Sequence, residues 1–242
     1  EQGDAVLLDP KAAIRPGADS DRIDTAAEMI INAKHPVIIA GGGVGLGNAG
    51  DELIELAEAL QAGVFTTLNG KSSIPWSNPF CLGLNRMGGG SSPAAQYVGA
   101  ADIIIGIGSR LAGLGGPALP AETQVIHIDI DSDEIGRSHD NTYGLAGDAA
   151  KTLKALAGRI RSAGSRPSAT AELADIRESI FASADGTQPQ WDILRSLQAG
   201  APDDTILVPD STQVGYYSFP FWKVESRNAY IGSGYSGNLG FA

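Results

Sequence analysis

Apolar side chains recur along this chain in two rhythms, one helical and one continuous, and their alternation sets the first expectation about its fold. Ile23, Ala27, Ile30 and Ile31 fall at helical spacing within 21–33, and His35-Pro36 then breaks the pattern ahead of the apolar run Val37 to Ala40. This order predicts a helix, a turn and a buried strand. A glycine-rich loop over 41–50 follows, then Leu53, Leu56, Ala57 and Leu60 along one helical face, then the β-branched and aromatic run Val64 to Leu68. Ile103 to Ile107 and Val125 to Ile130 are continuous apolar runs of the kind found in strands covered on both faces. Leu153, Leu156, Ala157 and Ile160 form a further helical stripe. Strand and helix alternating in this way predict an α/β domain over about 20–161, with a doubly wound, mostly parallel, six-stranded Rossmann-like sheet.

Beyond that domain, residues 162–170 are rich in Ser, Ala, Gly and Pro, and 162–186 reads as a linker. From 187 onward a helix around Trp191 to Leu197, a strand at Thr205 to Val208 and another beginning at Tyr230-Ile231 predict a second α/β unit. The chain ends in a glycine-rich turn over 232–242, so the expectation is part of a larger enzyme.

A hydrophobic content of 43% excludes general disorder, and a net charge of -11, with 17 Lys and Arg scattered along the chain, argues against a nucleic-acid surface. The single Cys81 cannot form an internal disulfide or a multi-cysteine zinc site. With no long apolar run and no signal-peptide pattern at the start of the chain, we expect no membrane partner and a cytoplasmic location.

Ligands of doubly wound folds sit beyond the carboxyl ends of the strands, so the loops there carry the candidate chemistry. Gly45 to Gly50 satisfies G-x-G-x-x-G, but Gly45 lies several residues past the strand, and Thr66, Thr67, Leu68 and Asn69 occupy the place of the ribose-binding acid. Two readings stay open for Gly41, Gly42 and Gly43: backbone approach of a phosphate or ribose, or glycines needed for the turn and for close packing. Thr66, Thr67, Asn69 and Lys71 suit a polar ligand or an ordinary Asn-Gly turn. Arg110, after the third apolar run, suits a phosphate or a surface ion pair. Asp129 and Asp131 suit ribose hydroxyls or the cap of a helix over 133–137, and Asp148 suits an N-cap. His127, within an apolar strand, reads as a hydrogen-bonded core residue.

Taken in order, 35–43, Thr66-Thr67 to Lys71 and Pro75, Ala101-Asp102 to Arg110, Ile126 to Asp131, and Gly147-Asp148 resemble the central domain of thiamine-diphosphate-dependent enzymes of the acetolactate synthase type. Residues 1–10, with Val6-Leu7-Leu8, are similar to the last strand of that family's pyrimidine-binding domain, and 187–242 to the start of its diphosphate-binding domain. The resemblance implies thiamine diphosphate and magnesium as cofactors, a 2-oxo acid or related carbonyl substrate, decarboxylation or carboligation, and a homodimer or homotetramer. It implies that Leu239 is the apolar wedge beneath a bent cofactor and that the Gly237 carbonyl accepts from its 4′-amino group. Val214, Gly215, Tyr216 and Tyr217 would lie near the diphosphate, two tyrosines standing where the family usually has a polar pair. The activating Glu and the magnesium ligands would lie outside this chain, leaving the chain alone inactive. Flavin-containing relatives hold FAD in this domain through an arginine and an acidic pair; here Arg110 is followed by Leu111-Ala112-Gly113, which leaves FAD or another nucleotide open.

Two other classes compete. An FAD-holding module of the electron-transfer flavoprotein type shares the fold but leaves 187–242 without a role. A sirtuin-type deacylase needs four zinc-binding cysteines, against one here.

Overall fold

The computed structural model describes residues 14–84, 92–112, 122–182, 188–234 and 239–242. Asp19 caps helix α1 (Ser20–Ile31) by accepting from the backbone N–H groups of Asp21 and Arg22, and α1 buries Ile23, Ala26, Ala27 and Ile30. Strand β1 (Pro36–Ala40) follows with every residue buried. The glycine-rich loop winds into a short helix α2 (Gly42–Leu46) and then α3 (Gly50–Leu60), whose buried face is the expected Leu53, Leu56, Ala57 and Leu60.

Six strands form one sheet in the order β3-β2-β1-β4-β5-β6, and every pairing is parallel. The remaining strands are β2 (Val64–Thr66), β3 (Cys81–Leu84), β4 (Ile103–Ile107), β5 (Gln124–Asp129) and β6 (Thr142–Ala146). Helix α4 (Pro93–Gly99) precedes β4, and α5 (Ala149–Ala163) follows β6 and packs beside α1 and α3. The Asp102 carboxylate accepts from the backbone N–H groups of Lys34 and His35 at 2.6 and 2.9 Å, tying the turn before β1 to the start of β4.

Three local differences from the sequence expectations have physical reasons. Residues 132–136 form consecutive turns instead of a helix, because Gly136 takes φ +75° and turns its N–H inward. The span read as a linker contains helix α6 (Thr170–Ala182), which buries Leu173 and Ile180; positions so far apart make no continuous stripe. After α7 (Gln190–Gly200) the two expected strands are represented by one parallel bridge, Leu207 to Tyr230, flanking α8 (Gln213–Phe221). Among the described residues no helix is long and apolar enough to cross a membrane.

Candidate functional site

Chain order runs outward in both directions from β1 and β4, so the loops leaving these two strands part at the carboxyl edge of the sheet. A cleft of about 660 Å³ lies there. Beneath it the two loops pair through their backbones: the Gly41 N–H donates to the Ile107 carbonyl at 2.7 Å, and the Gly43 N–H to the Gly108 carbonyl at 2.9 Å. A Cβ on Gly41 would stand 2.2 Å from the Gly108 carbonyl oxygen, and one on Gly43 would stand 2.6 Å from the Gly108 Cα. These glycines are required by the approach of one loop to the other, before any ligand is considered. Gly42 has more room and Gly45 meets nothing within 4 Å, so the rim that faces the cleft runs from Gly42 to Gly45.

Thr67, Arg110 and Asp129 line the cleft with Gly42 and Gly43, whereas Gly41, Thr66 and Asp148 do not. The Thr66 hydroxyl is buried and donates to the Gly83 carbonyl at 3.3 Å. Asp148 caps α5, accepting from the Lys151 N–H at 3.1 Å. Thr67 accepts from the Gly70 N–H at 3.2 Å, and Asp129 from the Asp131 N–H at 3.0 Å, so both help shape their own loops.

The loop carrying Arg110 is held from below. The Gly136 N–H donates to His127 Nδ1 at 3.3 Å, which leaves the proton on Nε2 to donate to the Ser109 carbonyl at 2.7 Å. The imidazole is therefore neutral, and its burial holds its pKa below the ordinary value. His127 is a hydrogen-bonded core residue, as expected. Ser138 adds a hydroxyl bond to the Arg110 carbonyl at 2.9 Å.

Other cleft residues carry no sequence signal. Ser72, in the loop after Lys71, lines the cleft with a buried hydroxyl that has no hydrogen-bond partner among the described residues. Arg227 reaches in from the C-terminal segment, donating to Asn48 Oδ1 and Asp51 Oδ1, both at 2.6 Å. No motif links residues so distant in sequence. Lys71 itself is buried at the seam with that segment, its Nζ 5.3 Å from the centre of the Tyr230 ring. Burial lowers its pKa to about 8, against a smaller upward pull from Cys81.

Val214, Gly215, Tyr216 and Tyr217 form a second group, all within α8 and away from the central cleft. Thr212 caps this helix by accepting from the Gly215 N–H at 3.0 Å. The Tyr230 hydroxyl donates to Ser218 Oγ at 2.9 Å, because Ser218 already spends its proton on the Gly215 carbonyl at 2.6 Å. Leu239 stands 79% exposed, and Gly240 beside it has φ +78° with nothing within 4 Å of an added Cβ. Asp210 joins the two loops: one carboxylate oxygen accepts from the Ser211 N–H and the other from the Gly240 N–H, both at 2.7 Å. These backbone bonds, Ser211's first and Gly240's second, hold the Asp210 pKa below the ordinary carboxylate value. Gly237 and residues 1–10 lie outside the described residues.

Comparison with known proteins covers both groups. Residues 23–156 match the family described as thiamine pyrophosphate enzyme, central domain. A probable 2-ketoarginine decarboxylase of Pseudomonas aeruginosa is 31% identical over 246 residues, covering 98% of this chain and 43% of that protein. A probable acetolactate synthase large subunit of Methanococcus aeolicus is 29% identical over 242 residues, covering 91% of this chain and 40% of that protein. Among solved structures, a putative thiamin diphosphate-dependent enzyme from Mycobacterium smegmatis shares the fold with a TM-score of 0.71 at 22% identity, over 99% of this chain and 46% of its own. The chain thus spans less than half the length of these relatives.

Proposed function

Because the chain belongs to the thiamine pyrophosphate enzymes, whose central domain it contains, we propose that the whole protein is a thiamine-diphosphate- and magnesium-dependent enzyme that decarboxylates or ligates 2-oxo acids or related carbonyl compounds. The observation that carries this reading is the alignment with a probable 2-ketoarginine decarboxylase over 98% of the chain. At that coverage the alignment extends into 187–242, the segment that the flavoprotein reading leaves without a role.

When bound, thiamine diphosphate supplies a nucleophilic carbon and an electron sink for carbonyl substrates. By the resemblance, Leu239 would be the apolar wedge beneath the bound cofactor, the Gly237 carbonyl would accept from its 4′-amino group, and Val214, Gly215, Tyr216 and Tyr217 would hold the diphosphate. Three observations support the fit: the exposure of Leu239, the open space at Gly240, and the Asp210 bonds that hold the two loops side by side. The activating Glu and the magnesium ligands belong to parts of the enzyme outside this chain, which acts as a cytoplasmic homodimer or homotetramer. In the central cleft, Gly42 to Gly45, Arg110 and Asp129 support a nucleotide; Leu111-Ala112, where flavin-binding relatives carry acids, weighs against FAD.

Calorimetry with thiamine diphosphate and magnesium tests the reading. The full-length enzyme should bind both, the 242-residue chain negligibly, and Leu239→Ala should lower kcat more than it weakens binding. Micromolar binding by the 242-residue chain, or an unchanged kcat in Leu239→Ala, would refute the assignment of this turn.

A further inference from the structure

We infer that Asp210 is a positioning residue for the proposed thiamine diphosphate site: its carboxylate fixes the turn that carries Leu239 against the loop that opens α8, and so sets where the wedge stands relative to the diphosphate. The inference rests on the reading of Leu239 given above and adds a residue to it.

The geometry is specific to a carboxylate. Asp210 offers two oxygens that only accept, and each takes a backbone N–H at 2.7 Å, one from Ser211 beside it and one from Gly240 on the distant turn. Both bonds are at the short end of the charge-assisted N–H range. Its main chain is engaged as well: the Asp210 carbonyl accepts from the Thr212 N–H at 2.8 Å, and a Cβ on Gly215 would stand 2.0 Å from that same oxygen. One residue therefore fixes the approach to α8 through its backbone and the glycine-rich turn through its side chain.

Pinning the Gly240 N–H also pins Leu239. The peptide unit between them is planar, so the Leu239 Cα lies in the same rigid plane as the bonded N–H. Packing cannot do this work, since the Leu239 side chain is largely exposed and lies outside the buried core cluster. Gly240, at φ +78°, lets the chain turn away immediately afterward.

The test uses the full-length enzyme with Asp210→Asn, which keeps the shape but presents an N–H₂ where one oxygen was, and with Asp210→Ala. In the cofactor-free protein, amide hydrogen exchange at Gly240 should accelerate at least about tenfold in Asp210→Ala, the size expected for a lost charge-assisted hydrogen bond, and less in Asp210→Asn, whose single amide oxygen can serve only one of the two N–H groups. Exchange at Leu207 and Ile231, whose N–H groups bond to the Ala229 and Leu207 carbonyls, should stay unchanged and certifies folding. With cofactor, kcat should fall about tenfold while affinity for thiamine diphosphate changes by less than about threefold. Unchanged exchange at Gly240 in a folded Asp210→Ala enzyme overturns the inference alone, as does a kcat loss matched by an equal loss of affinity. An unchanged kcat in Leu239→Ala overturns the wedge reading and this inference with it.

Discussion

The central sheet and the C-terminal segment use similar elements but bury their apolar groups in different ways. In the sheet, β1 and β4 lie side by side at the centre of six parallel strands and bury every residue, held by partners distant in sequence as well as near. In the C-terminal segment, the Leu207 to Tyr230 bridge leaves Ile206, Val208 and Ile231 exposed, and α7 leaves Ile193 and Leu197 exposed. What this segment does bury, it buries in a seam. Trp76 from the central domain packs on Phe181 of α6 at 4.5 Å between ring centres, and Trp191 on Phe221 at 5.0 Å. Arg177 of α6 donates to the Trp76 and Asn78 carbonyls, closing the seam from the side. This contrast predicts that the sheet is stable through its own layers, whereas the segment depends on what it docks against.

The largest predicted effects test that contrast directly. Ile105, fully buried in the middle of β4 between Ile38 and Ile126, and Phe221, buried in the aromatic seam, should each cost roughly 2–5 kcal/mol when replaced by Ala. Their consequences should differ. Ile105→Ala should lower the urea midpoint of the whole domain, measured by circular dichroism, while Phe221→Ala should expose 188–242 to limited proteolysis with the sheet still folded. A single shared transition in both variants would erase the distinction between the two regions.

The next effect comes from Lys71, the buried cation at the seam. Its pKa falls from 10.5 to about 8 through burial, so below about pH 8 both states carry the charge and the folded state bears the desolvation cost. Between about 8 and 10.5 the unfolded chain binds more protons, and stability should rise with pH by an amount on the order of 3 kcal/mol. Lys71→Met should abolish that rise and exceed the wild type in stability at pH 7, as measured by urea midpoints across the range. The smallest effect belongs to the sheet side: Asp148→Ala removes the α5 cap and should cost about 1 kcal/mol, with 188–242 no more open to protease than in wild type.

Most of the central fold was legible because strands covered on both faces leave uninterrupted apolar runs, as Val37 to Ala40 and Ile103 to Ile107 do, and amphipathic helices leave stripes. The edge strands were not. β3 is four residues broken by Gly83 and paired to β2 with a register shift, and β6 is mostly half-buried, so neither writes such a run. α6 was hidden for a related reason, its two buried residues lying a full heptad apart. Of the loops singled out in sequence, those with Gly42, Gly43, Thr67, Arg110 and Asp129 line the cleft, but Gly41 and Gly43 serve loop packing, and Thr66 and Asp148 satisfy neighbouring backbone. Arg227 and Ser72 were invisible because only the folded chain brings them to the cleft. The family resemblance supplied what periodicity could not, namely a reason to look at Leu239.

The aromatic seam also determines what light the protein emits. All three tryptophans, Trp76, Trp191 and Trp222, lie at the seam or on the C-terminal segment, and none lies in a strand of the sheet. Lys223 sits 5.9 Å and Arg177 5.2 Å from the Trp76 ring, so two cations bear on one indole. Intrinsic fluorescence is therefore a gauge of docking: its spectrum shifts when the segment leaves the seam and is nearly blind to events inside the sheet.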